Sequence, residues 1–373
     1  MMSEYAVAFD IGTTTIHAEL IDIKTNKSIE IFTAFNEQRV FGADVISRIS
    51  AVQNGKLNEL YSAVNNQVEG ILRHFIAKYK IDKITKCAVS GNTTMLHLFC
   101  RADPSGMGHA PYTPEFLEER NFKGEELSLS VFQIKLLPCV SAFIGADIIA
   151  GLAYIDVMGK KKNKNSGDLL FVDIGTNGEM AVWKNNEKKL LCCSTAAGPC
   201  FEETQANCGL SASDFVDVIA EMKRKNIIDE TGALDNNYLQ TGYSFPDLSG
   251  AVKQEDVRRF QLAKSAVYSG IKTLCRTAHL DLANIGEVYI AGGLGEYLNL
   301  DNAAEVKLLP REFAGKTAAK INVCGNTSLK GAAQSLIYPD FLPRCREIIA
   351  CAEMIDLAGN KFFTAAFEHN MWF

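Results

Sequence analysis

Phe9–Thr15 has the sequence FDIGTTT, and Val172–Gly178, half a chain later, repeats it as VDIGTNG. An apolar run precedes each copy, so each predicts a buried strand that ends in a sharp Asp-Ile-Gly-Thr turn. Gly12 lets a ligand approach the backbone closely, and successive N–H groups with threonine hydroxyls can hold a phosphate. Because a carboxylate repels phosphate, we expect Asp10 and Asp173 to hold a hydrated Mg²⁺ instead. The sequence therefore predicts two loops that clamp one nucleotide.

The rest of the chain repeats in the same order. Residues 87–94 (CAVSGNTT) and 288–295 (VYIAGGLG) each predict a strand followed by a glycine turn. Each half then closes with a helix start rich in small residues, at 145–151 (GADIIAG) and 325–333 (GNTSLKGAA). Such helix starts permit a close approach to another helix or to phosphate. The pattern predicts an α/β protein whose two duplicated domains surround a nucleotide cleft.

A lysine-rich stretch at 159–167 (GKKKNKNSG) separates the two halves and predicts a solvated linker or hairpin. We therefore expect a first domain over residues 1–158 and a second over residues 168–373. In the second domain, the residues from 254 to 278 predict a long helix, because apolar side chains recur there at helical spacing.

Composition and charge narrow the class of protein. The chain has 373 residues, of which 47% are hydrophobic, and a net charge of −6 with a pI of about 5.6. A nucleic-acid-binding protein would more often be basic, so we expect no nucleic acid partner. No apolar run is long enough to span a bilayer, and the first residues lack a signal-peptide pattern, so we expect a cytoplasmic protein without membrane contact.

The eleven cysteines show no C-x-x-C pair and no spacing of a plant-type iron–sulfur site. They predict small buried side chains in a reducing compartment. The group Cys192, Cys193, Cys200 and Cys208 leaves open a cluster that two subunits share.

The order of these motifs resembles the actin, Hsp70 and sugar-kinase (ASKHA) superfamily of ATPases, which implies two ribonuclease H-like domains. A narrower resemblance, to the reductive activators of corrinoid enzymes, spans the chain from about Tyr5 to Leu336. It is carried by residues 36–49 (NEQRVFGADVISRI), 91–98 (GNTTMLHL), 110–114 (APYTP), 173–179 (DIGTNGE), 194–199 (STAAGP) and 291–295 (AGGLG).

The resemblance implies a protein that binds and hydrolyses ATP with Mg²⁺ while docked on a corrinoid protein, and that helps return an oxidised Co(II) corrinoid to Co(I). Such proteins usually carry an N-terminal [2Fe–2S] domain and form dimers. Here no cysteine precedes Cys87. We therefore expect no iron–sulfur cluster in this chain, a separate or truncated ferredoxin-type electron donor, and a homodimer.

Site residues follow from the loops and from the resemblance. With Asp10 and Asp173, Asp147 is a candidate catalytic residue that orients the attacking water, or else a carboxylate that balances a helix dipole. Gln261 and Lys264 are candidate ribose contacts, with a solvated helix face as the alternative. The remaining candidate nucleotide contacts are Gly12, Thr13, Thr14, Thr15, Gly175, Thr176, Asn177, Gly198, Gly292, Gly293 and Gly295.

Two further features have more than one interpretation. Asp44, Ser47 and Arg48, in the segment 36–49, contact the corrinoid protein in one interpretation; in the other, Asp44 and Arg48 form a pair on a helix surface. His97 lies among apolar residues, so we expect a hydrogen-bonded core histidine rather than a cobalt ligand.

Other functions stay open at this point. One is a small-molecule kinase of the ASKHA superfamily, with Asp147 as its base. Others are an actin- or Hsp70-like assembly or binding module and an activator of 2-hydroxyacyl-CoA dehydratases whose cluster bridges two subunits.

Overall fold

The computed structural model describes residues 4–157, 167–197, 200–201, 209–245, 250–294, 298–314 and 320–373. Its helices are α1 (Val45–Gln53), α2 (Leu57–Tyr79), α3 (Thr93–Phe99), α4 (Ala146–Tyr154), α5 (Ala212–Arg224), α6 (Gln254–Thr277), α7 (Leu300–Glu305), α8 (Thr327–Ile337), α9 (Phe341–Ala350) and α10 (Lys361–Asn370). In the part of the chain so described, no helix combines the length and the apolarity needed to cross a membrane.

The chain divides into two compact units. One unit combines Met1–Lys160 with Thr327–Ala352, and the other combines Lys161–Asn326 with Glu353–Phe373. This division differs from the one expected from the sequence, which kept all of residues 168–373 together. Most of the lysine-rich stretch predicted to link the domains lies outside the described residues.

The first unit contains a six-stranded mixed sheet. Its strands are β1 (Tyr5–Ile11), β2 (Thr15–Asp22), β3 (Lys27–Phe35), β4 (Ile84–Gly91), β5 (Arg120–Lys123) and β6 (Val131–Leu136). They are arranged in the order β3-β2-β1-β4-β6-β5, with β4 parallel to both β1 and β6 and the remaining pairs antiparallel. β1 is central, and its run from Ala6 to Phe9 is fully buried, as an apolar run without alternation predicts.

Helix α8 explains why the chain returns to the first unit. Gly331 of α8 lies so close to α4 that a Cβ atom there would be 2.7 Å from the Cβ atom of Ala150. The small residues in both helix starts therefore do permit the close helix–helix approach expected from the sequence. Leu329 and Ala332 of α8 are buried in the same unit.

The second unit contains another six-stranded sheet. Its strands are β7 (Leu169–Ile174), β8 (Gly178–Lys184), β9 (Lys189–Thr195), β12 (Glu287–Ala291), β13 (Lys320–Gly325) and β14 (Ala352–Met354), and a small separate sheet holds β10 (Tyr243–Ser244) and β11 (Ala251–Val252). The order is β13-β12-β7-β8-β9-β14. α6 contributes a buried stripe to the core, as predicted, formed by Val257, Phe260, Ala263, Val267, Ile271 and Leu274.

Five strands of each sheet correspond. The order β3-β2-β1-β4-β6 in the first unit matches β9-β8-β7-β12-β13 in the second, with the same parallel and antiparallel pairs. Asp10 pairs in register with Ser90, and Asp173 pairs with Ala291. The predicted α/β class and the duplication are therefore confirmed.

Candidate functional site

The first Asp-Ile-Gly-Thr turn joins β1 to β2 in the first unit. The backbone N–H of Gly12 donates to the carbonyl of Thr15 at 3.0 Å, and a Cβ atom on Gly12 would lie 2.7 Å from that oxygen. Only glycine therefore fits without a shift of the backbone. Thr13 is buried, and Asn92 at the start of α3 donates to its hydroxyl at 2.9 Å. A backbone hydrogen bond thus closes the turn, and Asn92 fixes the Thr13 hydroxyl.

Asp10 stands at the end of β1, next to this loop. Ser328, in the first turn of α8, donates its hydroxyl hydrogen to Asp10 Oδ1 at 2.8 Å and lies 2.9 Å from the Ser90 hydroxyl. Both serines are buried. Sequence reasoning did not single out Ser328 as a site residue, because its contact with Asp10 spans 318 positions of the chain.

Asp147 occupies the first turn of α4 in the same unit. Burial, and then the negative charge of Asp10, raise the pKa of Asp147 from 3.8 to about 7. Its Oδ1 accepts a hydrogen bond from the N–H of Ile148 at 2.8 Å. The repulsion between the two carboxyl groups lets Asp147 gain or lose a proton near neutral pH, while the Asp10 carboxylate, beside the turn, suits Mg²⁺ that is held through water.

Glycine brings the start of α4 against the end of β4. A Cβ atom on Gly145 would lie 2.5 Å from Cα of Asn92 and 2.8 Å from the carbonyl oxygen of Gly91. A larger residue at position 145 would therefore force a shift in this packing, at the start of the helix that carries Asp147.

The second turn, in the other unit, joins β7 to β8. The N–H of Gly175 donates to the carbonyl of Asn177 at 2.9 Å, and the Thr176 side chain is buried. Asp173 lies at the end of β7, in the position that Asp10 takes in β1. The second unit thus repeats the carboxylate and the tight turn.

Gly292 follows β12 and packs on this second turn with a positive φ of 91°. A Cβ atom at Gly292 would lie 2.5 Å from Asp173 Oδ1, so glycine is required there. Gly293 is exposed and has open space where its Cβ would be, which leaves its backbone accessible to a ligand. The candidate contacts Gly198 and Gly295 lie outside the described residues.

Gln261 and Lys264 were expected either to contact the ribose or to lie on a solvated helix face, and the structure places them in a different environment. Both are buried, so they do not form a solvated face. Gln261 Nε2 donates to the carbonyl of Met371 at 2.7 Å, and Lys264 Nζ donates to the carbonyls of Asn370 at 2.5 Å and Trp372 at 2.9 Å. These contacts assign both side chains to the support of the C-terminal segment, so we leave them out of the nucleotide site proposed below.

The two charged residues of segment 36–49 have different environments: Asp44 is exposed, so its contact with the corrinoid protein stays a prediction, whereas Arg48 is buried. Asp44 caps α1, where its carboxylate accepts from the N–H of Ser47 at 2.7 Å. Arg48 has no exposed surface, so it is neither a surface partner of Asp44 nor a direct docking contact. The sequence does contain a signal for this burial, since position 48 falls on the apolar face of α1 with Val45, Ile49 and Val52.

His97 is a hydrogen-bonded core residue, as expected. Its Nδ1 lies 2.7 Å from the carbonyl of Thr93, its Nε2 accepts from the N–H of Glu115 at 3.1 Å, and its ring stacks on Phe116. Burial lowers its pKa. The two nitrogens are thus occupied within the protein.

The described cysteines are free thiols, and burial raises the pKa of Cys192 to about 12. Within the described ranges, which leave out Cys208, no group of three or more histidine, cysteine or acidic side chains is arranged to hold a metal ion.

Two family models match the chain. One, described as the RACo middle region, matches residues 5–160. The other, described as the C-terminal domain of RACo, the ASKHA domain, matches residues 168–216 and 213–373. Together they span almost all of the sequence.

Individual relatives agree with these models. The corrinoid activation enzyme RamQ of Eubacterium limosum is 28% identical over 429 residues, which cover 99% of this chain and 70% of RamQ. The [Co(II) methylated amine-specific corrinoid protein] reductase of Methanosarcina barkeri is 22% identical over 406 residues, which cover 92% of this chain and 72% of the reductase.

A solved structure also agrees. The reductive activator for corrinoid, iron-sulfur protein superposes with a TM-score of 0.87 at 27% identity, over 99% of this chain and 66% of that one. The chain therefore spans just under two thirds of the length of that activator. On the strength of the two family models, the chain belongs to the RACo family, the reductive activators of corrinoid enzymes.

Proposed function

We propose that this protein binds and hydrolyses Mg-ATP and thereby supports the reductive return of a Co(II) corrinoid protein to Co(I). The observation that carries the proposal is the duplicated site: two equivalent sheets each end a central strand in Asp-Ile-Gly-Thr, with a glycine packed on or beside each turn. The names of the relatives supply the corrinoid protein as partner. We further propose that the protein acts in the cytoplasm as a homodimer and receives electrons from a ferredoxin-type donor.

In this proposal each residue has one role. Asp10 and Asp173 hold Mg²⁺ through water, and the backbone and hydroxyls of Gly12–Thr15 and Gly175–Asn177 bind the phosphates. Asp147 orients the attacking water. Mg²⁺, when bound, neutralises charge on the phosphates. Ser328 fixes the rotamer of Asp10.

Nucleotide can drive an uphill electron transfer only if the protein binds its partner with different affinities in its different nucleotide states. We propose that the corrinoid protein is held in one of these states and released in another. If the affinity for the corrinoid protein were the same in every nucleotide state, ATP binding and hydrolysis could not drive this cycle.

The site assignment is tested by Asp10→Asn and Asp173→Asn. Each substitution removes a charge that Mg²⁺ requires, so we expect Mg-ATP affinity, measured by isothermal titration calorimetry, to fall at least about tenfold. Asp82→Asn is the control, because Asp82 is exposed and precedes β4 at the far end from the turn. Unchanged affinity in both variants would show that these carboxylates do not form the site.

The partner is tested by an anaerobic pull-down from the native cell extract with and without Mg-ATP. We expect a corrinoid protein to be retained in a nucleotide-dependent way, as read by mass spectrometry and by cobalamin absorbance. Iron and sulfide analysis of the purified chain, carried out in parallel, tests the bridging-cluster alternative, which requires both elements.

A small-molecule kinase is the second candidate, because a carboxyl group with a pKa of about 7, such as Asp147, suits a general base. Production of ADP that depends on an added sugar or carboxylate would favour this candidate. ADP production that depends on the corrinoid protein would favour the activator.

A further inference from the structure

Segment 36–49, which follows β3, packs against the first Asp-Ile-Gly-Thr turn and donates hydrogen bonds to three successive backbone carbonyl groups of that turn. Asn36 Nδ2 donates to the carbonyl of Gly12 at 2.9 Å, and the backbone N–H of Asn36 donates to that of Thr14 at 2.7 Å. The Arg48 guanidinium donates to the carbonyl between them, that of Thr13. Every peptide group from Gly12 to Thr14 is therefore held from the same segment.

Arg48 is itself held in place by other contacts. Its Nε donates to the carbonyl of Gly42 at 3.0 Å, and one of its terminal nitrogens donates to Gln38 Oε1 at 3.2 Å. Gln38 is buried and in turn donates to the carbonyl of Leu60 on α2 at 2.9 Å. The orientation of the planar guanidinium is thus set by Gly42 and by Gln38, and Gln38 is itself fixed by α2.

The peptide bond is planar and trans, so a carbonyl and the N–H that follows it point in opposite directions. Fixing the carbonyls of Gly12, Thr13 and Thr14 on one side therefore directs the N–H groups of Thr13, Thr14 and Thr15 to the other. Three successive N–H groups turned to one side form the kind of concavity that binds an oxyanion.

We propose that Arg48 and Asn36 are positioning residues that fix the phosphate-binding conformation of the loop Gly12–Thr15. This inference rests on the proposed nucleotide site. A buried cation is costly, and here its positive charge lies beneath a loop that is proposed to carry polyphosphate, where it favours anion binding. Asn36 and Arg48 thus shape the nucleotide site from within the first unit.

The test compares Arg48→Lys with Arg39→Lys. Lysine keeps the charge but loses the planar fork that serves three oxygen acceptors at once. Arg39 lies in the same segment but is exposed, with its guanidinium 4.7 Å from the ring centre of Phe35. Affinities for Mg-ATP and for AMP are measured for each protein by displacement of a fluorescent nucleotide.

We expect Arg48→Lys to weaken Mg-ATP binding at least about tenfold and to leave AMP binding within about twofold, because AMP lacks the β- and γ-phosphates. Arg39→Lys should bind both as the unsubstituted protein does. If Arg48→Lys weakens Mg-ATP and AMP binding equally, Arg48 has a merely structural role. If Mg-ATP binding is unchanged, Arg48 has no role in the site. Either result overturns the inference.

Asn36→Asp provides a second variant if Arg48→Lys does not fold. It keeps the acceptor for the N–H of Gln38 but replaces the donor to Gly12 by an oxygen that repels the carbonyl. The same selective loss of Mg-ATP affinity is expected, and retention of that affinity contradicts the inference. If the unsubstituted protein binds no Mg-ATP, the proposed function fails first and the inference falls with it.

Discussion

Asp147 shows how much a single residue depends on its neighbours. The sequence placed it at a helix start, and either an orienting role or a dipole-balancing role fitted that position. In the structure, burial and the nearby charge of Asp10 raise the pKa of Asp147. The local sequence could not predict this effect, because Asp10 lies 137 positions earlier in the chain.

We predict that Asp147→Asn lowers kcat for ATP hydrolysis by about 10²- to 10⁴-fold and leaves Mg-ATP affinity almost unchanged, because the amide keeps the shape but cannot take a proton from water. Steady-state kinetics and calorimetry separate the two quantities. Asp156→Asn, just beyond the other end of α4, is the control. A full hydrolysis rate together with a lowered melting temperature would instead support the dipole-balancing role.

At the scale of elements, α6 was predicted well, but the function of two of its residues was not. Its apolar stripe is local information, and it is buried as expected. Lys264 is charged, and a charged side chain usually faces solvent. Here the segment Asn370–Phe373 covers it, with the Phe373 ring centre 4.8 Å from Nζ. No periodicity within α6 indicates which distant segment packs on it.

We predict that the stability contributed by Lys264 increases with pH. Burial, and then the charges of Lys307 and Lys223, lower its pKa from 10.5 to about 7. The unfolded chain therefore binds more protons than the folded one between these pH values, and stability rises as pH rises through this window. Relative to Lys264→Met, the unfolding free energy of the unsubstituted protein should rise by about 1 kcal/mol per pH unit from pH 7 to pH 9.

Urea denaturation at several pH values measures this difference. Lys272→Met is the control: Lys272 is on the same helix, half-buried and paired with Glu312 at 3.0 Å. A gap between the unsubstituted protein and Lys264→Met that stays constant from pH 7 to pH 9 would contradict the prediction.

At the scale of the whole molecule, the chain leaves the second unit after Asn326 and completes the first. β13 and α8 are adjacent in sequence but belong to different units. The duplicated pattern predicted the start of α8, which has its own local signal in the small residues of 325–333. The pattern could not predict that α8 belongs to the first unit, because the packing of α8 on α4 decides this assignment.

We predict that Gly331→Ala destabilises the first unit by about 1–3 kcal/mol, because the new methyl group meets the backbone and Cβ of Ala150. Gly70→Ala is the matched control: Gly70 lies in the exposed face of α2 with open space around its Cβ, so alanine should stabilise by up to about 1 kcal/mol. Denaturant unfolding measures both changes. Stabilisation by Gly331→Ala would contradict the close approach of the two helices.

The sequence by itself determined the duplicated Asp-Ile-Gly-Thr turns, the buried strands before them, the α/β class and the long helix α6. Each of these follows from turn chemistry or apolar spacing within a few residues. Tertiary structure alone decided that Ser328 holds Asp10, that Asn36 and Arg48 brace the first turn, and that Lys264 supports the C-terminal segment. These contacts join a side chain to a group between 24 and 318 positions away in the chain, and the packing of distant elements, rather than any local pattern, brings the two together.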